Sequence, residues 1–218
     1  MSGPRRTVDD VRAYLLGNLN SAVRRPGMYG GEFALWLYFD AMAFTDDRAE
    51  SWTADQDALR ARSASLPTGV SGAVEQVMGE RHDGVMSSVY AEIAHRHAWL
   101  VLDRELSARE YSHLRDIFRD WSTHDRTHSD VVAAFGPPSA LLGGSNPYYP
   151  KTLAYGTACP DDPLVFFHLW NGSEPGASPA WPPVHAEPLL LAARCGGASF
   201  ADGFAFTPKG AARREQLR

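Results

Sequence analysis

The stretch Phe135-Gly136-Pro137-Pro138 separates two parts of the 218-residue chain that differ in proline content. Twelve of the 15 prolines lie at or after Pro137, and three come before it. Proline removes a backbone hydrogen-bond donor and fixes φ, so helices are expected before this stretch and strands, turns and loops after it. The sequence therefore predicts a single α+β domain over residues 1–218, in which a helical part (8–135) packs on an antiparallel sheet formed by a β-rich part (136–206).

The helical part contains apolar residues at helical spacing. Val11, Tyr14, Leu15 and Leu19 follow a capping residue, Thr7, and predict a helix over about 8–20. The apolar run Phe33–Phe44 predicts a second, largely buried helix, and the polar stretch 46–67 predicts a loop with a short helix. Ser107 and Glu110 form a capping box that opens a helix to about Trp121.

The β-rich part has short apolar runs separated by turn residues. The runs predict strands at Thr152–Thr157, Leu164–Trp170, Leu189–Ala193 and Phe200–Phe206. Thr207 followed by Pro208 is typical of a helix start, so residues 207–218 are expected to form a short basic helix.

Composition excludes several classes of protein. With 44% hydrophobic residues the chain can bury a core, and its net charge of −5 argues against a general nucleic-acid binder. The longest apolar run, Phe33–Phe44, is shorter than the roughly 18–20 residues that span a bilayer. Without an apolar leader, Cys159 and Cys195 are expected to be reduced thiols. We therefore expect a cytoplasmic protein that binds neither membrane nor nucleic acid.

Lysine is scarce, because 19 of the 21 basic residues are arginine and only Lys151 and Lys209 are lysine. The sequence of the loop that ends at Lys151 partly matches the motif of a phosphate-binding glycine loop. Ser145 and Pro150 occupy the positions where that motif has glycine, and proline also lacks the amide hydrogen. This loop is therefore not expected to bind nucleotide phosphates in the manner of that motif.

His168 and Cys195 are the candidate catalytic residues. Strand alternation places His168 on one face with Phe166 and Trp170, either as a buried core residue or as part of a pocket wall. Cys195 lies at a strand end, where it is either a structural thiol or a nucleophile with His168 or His185 as its base.

Asp120, His124 and His128 are the candidate metal ligands. They recur every four residues, so they share one face if the helix that starts near Glu110 continues through them. The alternative is that the polar segment 122–130 is a solvated loop. If the segment is a loop, no cofactor is expected. If the helix continues, the expected cofactor is zinc or iron.

Aromatic residues are dense between Gly143 and Trp170, which is typical of a partner interface or a small-molecule cleft. We predict a binding surface formed by this region and by the exposed end of the turn 24–31. The candidate binding residues are Arg25, Tyr29, Asn146, Tyr148, Tyr149, Lys151, Tyr155 and Trp170.

The turn itself, Arg24-Arg25-Pro26-Gly27-Met28-Tyr29-Gly30-Gly31, resembles a segment near the start of the ATPase domain of gyrase B and its relatives. The next helix lacks that family's Glu and Asn for magnesium, and no Asp-x-Gly-x-Gly follows, so ATPase activity is not expected. The string also resembles small uncharacterised bacterial proteins, of actinobacterial type, that are often regarded as toxin-immunity factors. This resemblance covers about residues 8–45 and implies binding of a toxin or another protein partner.

We therefore expect a protein-binding module of immunity or toxin-associated type. The alternative is a small-molecule or metal-dependent hydrolase with His168 and the loop 146–152 in an aromatic cleft.

Overall fold

The chain is an α+β domain in which helices cover both faces of a five-stranded antiparallel sheet. The computed structural model describes residues 7–173 and 183–217. Over these residues the predicted fold class is confirmed, with most of the helices in the N-terminal part.

Within the described residues seven helices precede the sheet and one follows it. They are α1 (Val8–Arg24), α2 (Gly31–Thr45), α3 (Ala49–Ala61), α4 (Gly69–Met78), α5 (Asp83–Arg96), α6 (Ala108–Trp121), α7 (His128–Phe135) and α8 (Pro208–Gln216). A short 3-10 turn, Pro26–Met28, joins α1 to α2.

The strands follow one another along the chain and in space, in the order β1-β2-β3-β4-β5. They are β1 (Ala140–Gly143), β2 (Lys151–Tyr155), β3 (Val165–Trp170), β4 (Leu189–Arg194) and β5 (Phe204–Phe206). Every neighbouring pair is antiparallel, and the β3–β4 register shifts between His168 and Leu169.

Each face of the sheet has its own core. Phe166, Trp170 and Ala154 face α1–α5 and belong to the larger core, which includes Phe39, Trp99 and Ile93. The alternate residues of the same strands face α6 and α7, where Leu153 and Phe167 pack with Leu114 and Val131. The period-2 alternation of strand side chains produces this division.

Capping boxes start three of the helices. Thr7 with Asp10 begins α1, Ser107 with Glu110 begins α6, and Thr127 with Asp130 begins α7. In each case the hydroxyl accepts the amide of the third helical residue and the carboxylate accepts the cap amide, which satisfies two exposed donors. The first two boxes were expected from the sequence at these positions.

Three elements differ from the sequence prediction. The strand expected over Phe200–Phe206 covers only Phe204–Phe206, because a 3-10 turn occupies Ala201–Gly203. Strand β1 was not predicted, because it has only four residues and directly follows the two prolines that end the helical part. The stretch expected to be a loop with a short helix contains α3, a helix of 13 residues. Only Trp52 and Leu59 of α3 are buried, so its apolar periodicity is too sparse to show its length.

Helix α2 is less buried than its composition predicts. Leu35, Phe39, Met42 and Ala43 face the core, whereas Phe44 is 86% exposed. None of the helices formed by residues 7–173 and 183–217 has the length and apolarity that crossing a membrane requires.

Candidate ligand-binding cavity

A cavity of about 750 Å³ lies where the α1–α2 turn, the α4–α5 connection and the β1–β2 hairpin meet. Its lining comes from residues 25–28, 80–84 and 142–151, with the exception of the hairpin tip at 147–148, and from Trp170 at the end of β3. These segments are far apart in sequence, so the cavity exists only in the folded chain.

The first segment is fixed at the C-terminal end of α1. Arg24 donates from Nη1 and Nη2 to the two oxygens of Asp103, at 2.8 and 3.0 Å, and from Nη2 to the carbonyl of Val101. Pro26 is buried, and the amides of Met28 and Tyr29 donate to the carbonyls of Arg25 and Pro26. The turn therefore presents Arg25 and Met28 at a fixed wall of the cavity.

The second segment begins where Gly79 ends α4 in a left-handed conformation, with φ of +87°. His82 then caps α5, because its Nδ1 accepts the amide of Val85 at 3.3 Å. Gly84 follows, and a Cβ there would lie 2.6 Å from Thr152 Oγ1. The absence of a side chain at Gly84 lets the start of α5 approach β2, which brings this segment beside the hairpin.

Asn146 organises the third segment. Its Oδ1 accepts the amide of Tyr148 at 2.9 Å, and its carbonyl accepts the amide of Tyr149 and the Nζ of Lys151, at 3.2 and 2.7 Å. This side-chain turn orders the hairpin without regular pairing. Gly143 has a φ of +125°, and a Cβ there would lie 3.1 Å from Lys151 Cα, its partner in the last β1–β2 pair.

Trp170 forms a wall of the cavity and is fixed from behind by α8. The guanidinium of Arg213 lies 3.9 Å from the centre of its indole ring. The same guanidinium donates to both carboxylate oxygens of Glu80, at 2.9 and 3.0 Å. Helix α8 thus ties β3 to the α4–α5 connection, since Trp170 and Glu80 both line the cavity.

The charges around the cavity are mixed. Arg25 and Arg81 line it together with Glu80 and Asp83. Glu80 is already neutralised by Arg213, and Arg81 makes one long ion pair of 3.3 Å with Glu75, whose side chain is half-exposed. The lining therefore offers hydrogen-bonding groups of both signs rather than a strongly cationic or anionic field.

Lys151 borders the cavity with its ammonium directed to the other side of the sheet. It pairs with Leu169, a residue of the α6–α7 core, and opposite residues of an antiparallel pair share a face. Burial lowers the pKa of Lys151. Burial also lowers the pKa of His128 on α7, and the Lys151 charge lowers it further. The Lys151 ammonium binds the Asn146 carbonyl and so stabilises the hairpin from beneath.

His168 lies beneath the cavity and does not line it. The ring is completely buried between Phe166 and Phe204, and its Nδ1 lies 3.0 Å from Thr152 Oγ1. Its Nε2 has no hydrogen-bond partner in the described part of the chain. Burial holds the pKa of His168 well below its ordinary value, and the charges of Arg194 and His82 act in the same direction. Of the two readings of this residue, the geometry fits a neutral core histidine.

His82 is the imidazole in the lining, and it is also a buried, structural group. Its Nδ1 accepts from the α5 amide, so the neutral ring carries its proton on Nε2. In the described part of the chain Nε2 makes no hydrogen bond of ordinary geometry. Burial lowers the pKa of His82, and the charges of Glu80 and Asp83 oppose this shift only in part. With its acceptor nitrogen used by the helix, this ring is poorly placed to act as a general base.

Five of the predicted binding residues gather at the cavity, namely Arg25, Asn146, Tyr149, Lys151 and Trp170. Tyr29 and Tyr148 are exposed nearby in the chain but are not part of the lining. Tyr155 lies elsewhere, fully buried in the α6–α7 core, where its hydroxyl donates to the Gly136 carbonyl. The two predicted surfaces, the 24–31 turn and the 143–170 region, thus form one concave site.

Cys195 lies in the core on the opposite face of the sheet from His168. It is buried, and burial raises the pKa of its thiol. A cysteine in this environment stays protonated at neutral pH, and the sheet separates it from His168. The structure therefore fits the structural-thiol reading.

The structure separates the three candidate metal ligands. Helix α6 ends at Trp121 and α7 begins at His128, so Asp120, His124 and His128 do not share one helical face. His124 is exposed, and its Nδ1 lies 3.0 Å from Thr123 Oγ1. In the described ranges 7–173 and 183–217 no three His, Cys, Asp or Glu side chains are placed to hold a metal ion.

The sequence prediction missed the middle segment of the lining, Glu80–Gly84. The available signal was the pair Gly79 and Gly84, which is typical of a connection between helices but does not indicate a place in a site. The approach of Gly84 to Thr152 is a long-range contact, and local pattern contains no information on it.

No protein-family model matches this chain, and neither the curated proteins nor the solved structures that were compared with it gave a match.

Proposed function

We propose that the chain is a binding protein whose ligand is a small organic molecule held in the cavity beside Trp170. The observation that carries this proposal is the cavity itself, at about 750 Å³. Sites for small molecules typically measure about 300–1,000 Å³ and combine apolar walls with a few convergent polar groups.

The lining indicates the chemistry of that ligand. Trp170 and Tyr149 supply flat, largely apolar surface, which suits an aromatic or other planar body. Arg25 and Asp83 both line the cavity and supply a donor and an acceptor of opposite charge. The ligand class that fits is a planar molecule with both hydrogen-bond donors and acceptors, rather than a polyanion such as a nucleoside triphosphate.

A protein partner of immunity or toxin-associated type is the second candidate function. The observation that favours it is the exposed side chains close in sequence to the lining, Tyr29 and Tyr148. Tyrosine is enriched at the energetic centre of interfaces, and a partner's side chain could fill the cavity. The third reading, a hydrolase that uses His168, has less support, because that imidazole is buried beneath the cavity and Cys195 lies across the sheet.

Filling the cavity tests the first proposal. A Cβ on Gly144 would lie 3.5 Å from Tyr149 Cδ2, an ordinary contact, so Gly144→Leu fits the fold and narrows the site. A library of amino acids, nucleosides and aromatic acids is screened by thermal shift, and each hit is measured by calorimetry. We expect at least one hit whose affinity falls about tenfold or more in Gly144→Leu, by loss of ~1.4 kcal/mol or more of binding free energy.

The matched control is the same side chain at an exposed position, Ser112→Leu on α6, which is expected to leave the affinity unchanged. The proposal fails if the library contains no binder, or if every binder has equal affinity for Gly144→Leu and the wild type.

A further inference from the structure

Large apolar side chains are exposed on α1 and α2 to an extent that the fold does not require. Phe44 is 86% exposed and Phe33 71%, and further exposed apolar residues lie on the same two helices. We call these residues the hairpin face, defined as Val11, Tyr14, Phe33, Trp36, Leu37 and Phe44. Single exposed apolar residues are ordinary, but a cluster of this size marks an interaction surface.

The two helices that carry the hairpin face lie side by side. Arg12, near the start of α1, donates to Asp46, just after the end of α2, at 2.6 Å, so the helices run antiparallel. On α1 Val11 and Tyr14 are three apart. On α2 Phe33, Leu37 and Phe44 are four and seven apart, which places them on one helical stripe. A stripe of this spacing is the pattern with which helices pack against other helices.

Gly17 adds a second observation. It lies three residues after Tyr14 on α1, and a Cβ at this position would meet nothing within 4 Å. A glycine inside a helix costs about 1 kcal/mol relative to alanine, and no contact with residues 7–173 or 183–217 explains it here. On the outer side of the hairpin it leaves a shallow notch that permits close approach of another helix.

We propose that the hairpin face is the interface of a symmetric homodimer, in which two α1–α2 hairpins pack as a four-helix arrangement. The exposed portions of the six side chains total on the order of 600 Å² per chain, given about 150–250 Å² for each aromatic residue. A standard interface buries about 800 Å² per partner, so these side chains supply most of what a dimer needs. A two-fold interface brings the same patch from both chains together, which suits a self-complementary helical stripe.

The charges near the hairpin face argue against an anionic lipid surface. Asp9, Asp10 and Asp40 are exposed on the same helices, and anionic lipid headgroups would repel them. Asp40 lies on the α2 stripe itself, between Leu37 and Phe44, so a dimer must keep the two Asp40 carboxylates apart and solvated. This requirement restricts the registers in which the two hairpins can pack.

Sedimentation velocity over a wide range of protein concentration tests the proposal. The wild type is expected to sediment as a dimer at high concentration and to dissociate on dilution. Phe44→Asp and Phe33→Asp each place a charge in the interface and are expected to weaken dimerisation about 100-fold or more. Both side chains are mostly exposed, so circular dichroism and the melting curve of the diluted protein should stay unchanged.

The matched control is Val101→Asp, which introduces the same charge at a 55% exposed valine outside the hairpin face and should leave the dimer intact. A wild type that sediments as a monomer at every concentration overturns the proposal, whether or not it binds vesicles or another protein. A dimer that persists unweakened in both phenylalanine variants also overturns it, because the interface then lies elsewhere.

Discussion

The two faces of the sheet are packed by different chemistry. Toward α6 and α7 the strands contribute Leu153, Tyr155, Phe167 and Leu169 to an aromatic and aliphatic core, and Lys151 is the buried charged residue that the strands place on this side. Toward α1–α5 the same strands contribute Thr152, His168 and Arg194 among their apolar residues, and all three are buried. The cavity opens at the edge of this second, more polar face.

The difference shows where stability and binding are separated in this fold. On the α6–α7 face, Phe167 stacks on Phe135 at 5.1 Å and meets Trp121 and Tyr155 edge-on, so nearly every atom contributes to packing. On the other face, Arg194 is held by Glu92 and Ser88, and Nε2 of His168 has no hydrogen-bond partner among the residues that the structure describes. Buried polar groups of this kind cost stability, and they occur on the face that forms the cavity wall.

The largest effect is expected from Phe167→Ala. The side chain is fully buried in the aromatic cluster, and its removal leaves a cavity that costs about 3–5 kcal/mol of unfolding free energy. Urea unfolding followed by circular dichroism measures this cost. Ligand affinity of the remaining folded protein should be unchanged, since Phe167 faces away from the site. Val101→Ala, at a 55% exposed position, should change stability by less than about 0.5 kcal/mol. A small cost for Phe167→Ala would contradict the contrast between the two faces.

An intermediate effect is expected from acid. Burial lowers the pKa of His168 and of His82 in the folded chain, so the unfolded chain binds more protons below about pH 6.5. The stability that these neutral rings provide is therefore complete above that pH. It is lost as the pH falls, at up to about 1.4 kcal/mol per pH unit for each ring, until the folded-state pKa is reached.

The variant His168→Asn isolates one of these rings. Asparagine keeps a polar atom near Thr152 Oγ1 but does not titrate. Because it loses the ring packing against Phe166 and Phe204, the variant should be less stable than the wild type at pH 7.5. Between pH 7.5 and 5.5 its stability should fall by about 1.4 kcal/mol less than that of the wild type. Urea unfolding at the two pH values gives both quantities. Parallel losses in the two proteins would show that His168 does not titrate on unfolding.

The smallest effect is expected on the outer surface of α1. Gly17→Ala removes the backbone entropy cost of a helical glycine and should stabilise the chain by about 0.5–1 kcal/mol. The measurement is made in the Phe44→Asp background at low concentration, so that the dimer equilibrium does not contribute. A loss of stability there would mean that the outer side of α1 has contacts that an added methyl group disturbs.

Local patterns predicted the class of the fold and much of its element order. The proline break at Pro137, the capping boxes and the Thr207-Pro208 helix start all act through residues close in sequence. Helix α6, on the second face of the sheet, was predicted as an element but not as part of a separate layer. Which face a helix covers depends on long-range packing, and no local pattern specifies it.

The site was predicted only in part, because local patterns do not specify the long-range contacts that form it. Arg25, Asn146 and Trp170 were chosen for their residue types, and the fold brings them together. Tyr155 was also chosen because it is aromatic. Strand alternation, however, places it on the face of β2 that packs in the α6–α7 core. Glu80–Gly84 was missed because its role depends on the absence of a side chain at Gly84 beside β2.

The contact between Arg213 and Trp170 has an optical consequence. The Arg213 guanidinium covers the face of the Trp170 indole at 3.9 Å, and the same indole borders an open cavity. The fluorescence emission of this ring therefore depends on what fills the cavity. Subtracting the fluorescence spectrum of Trp170→Phe from that of the wild type isolates this one chromophore among the six tryptophans of the chain. The protein thus has a built-in spectroscopic reporter, and occupancy of the cavity could be followed without any added label.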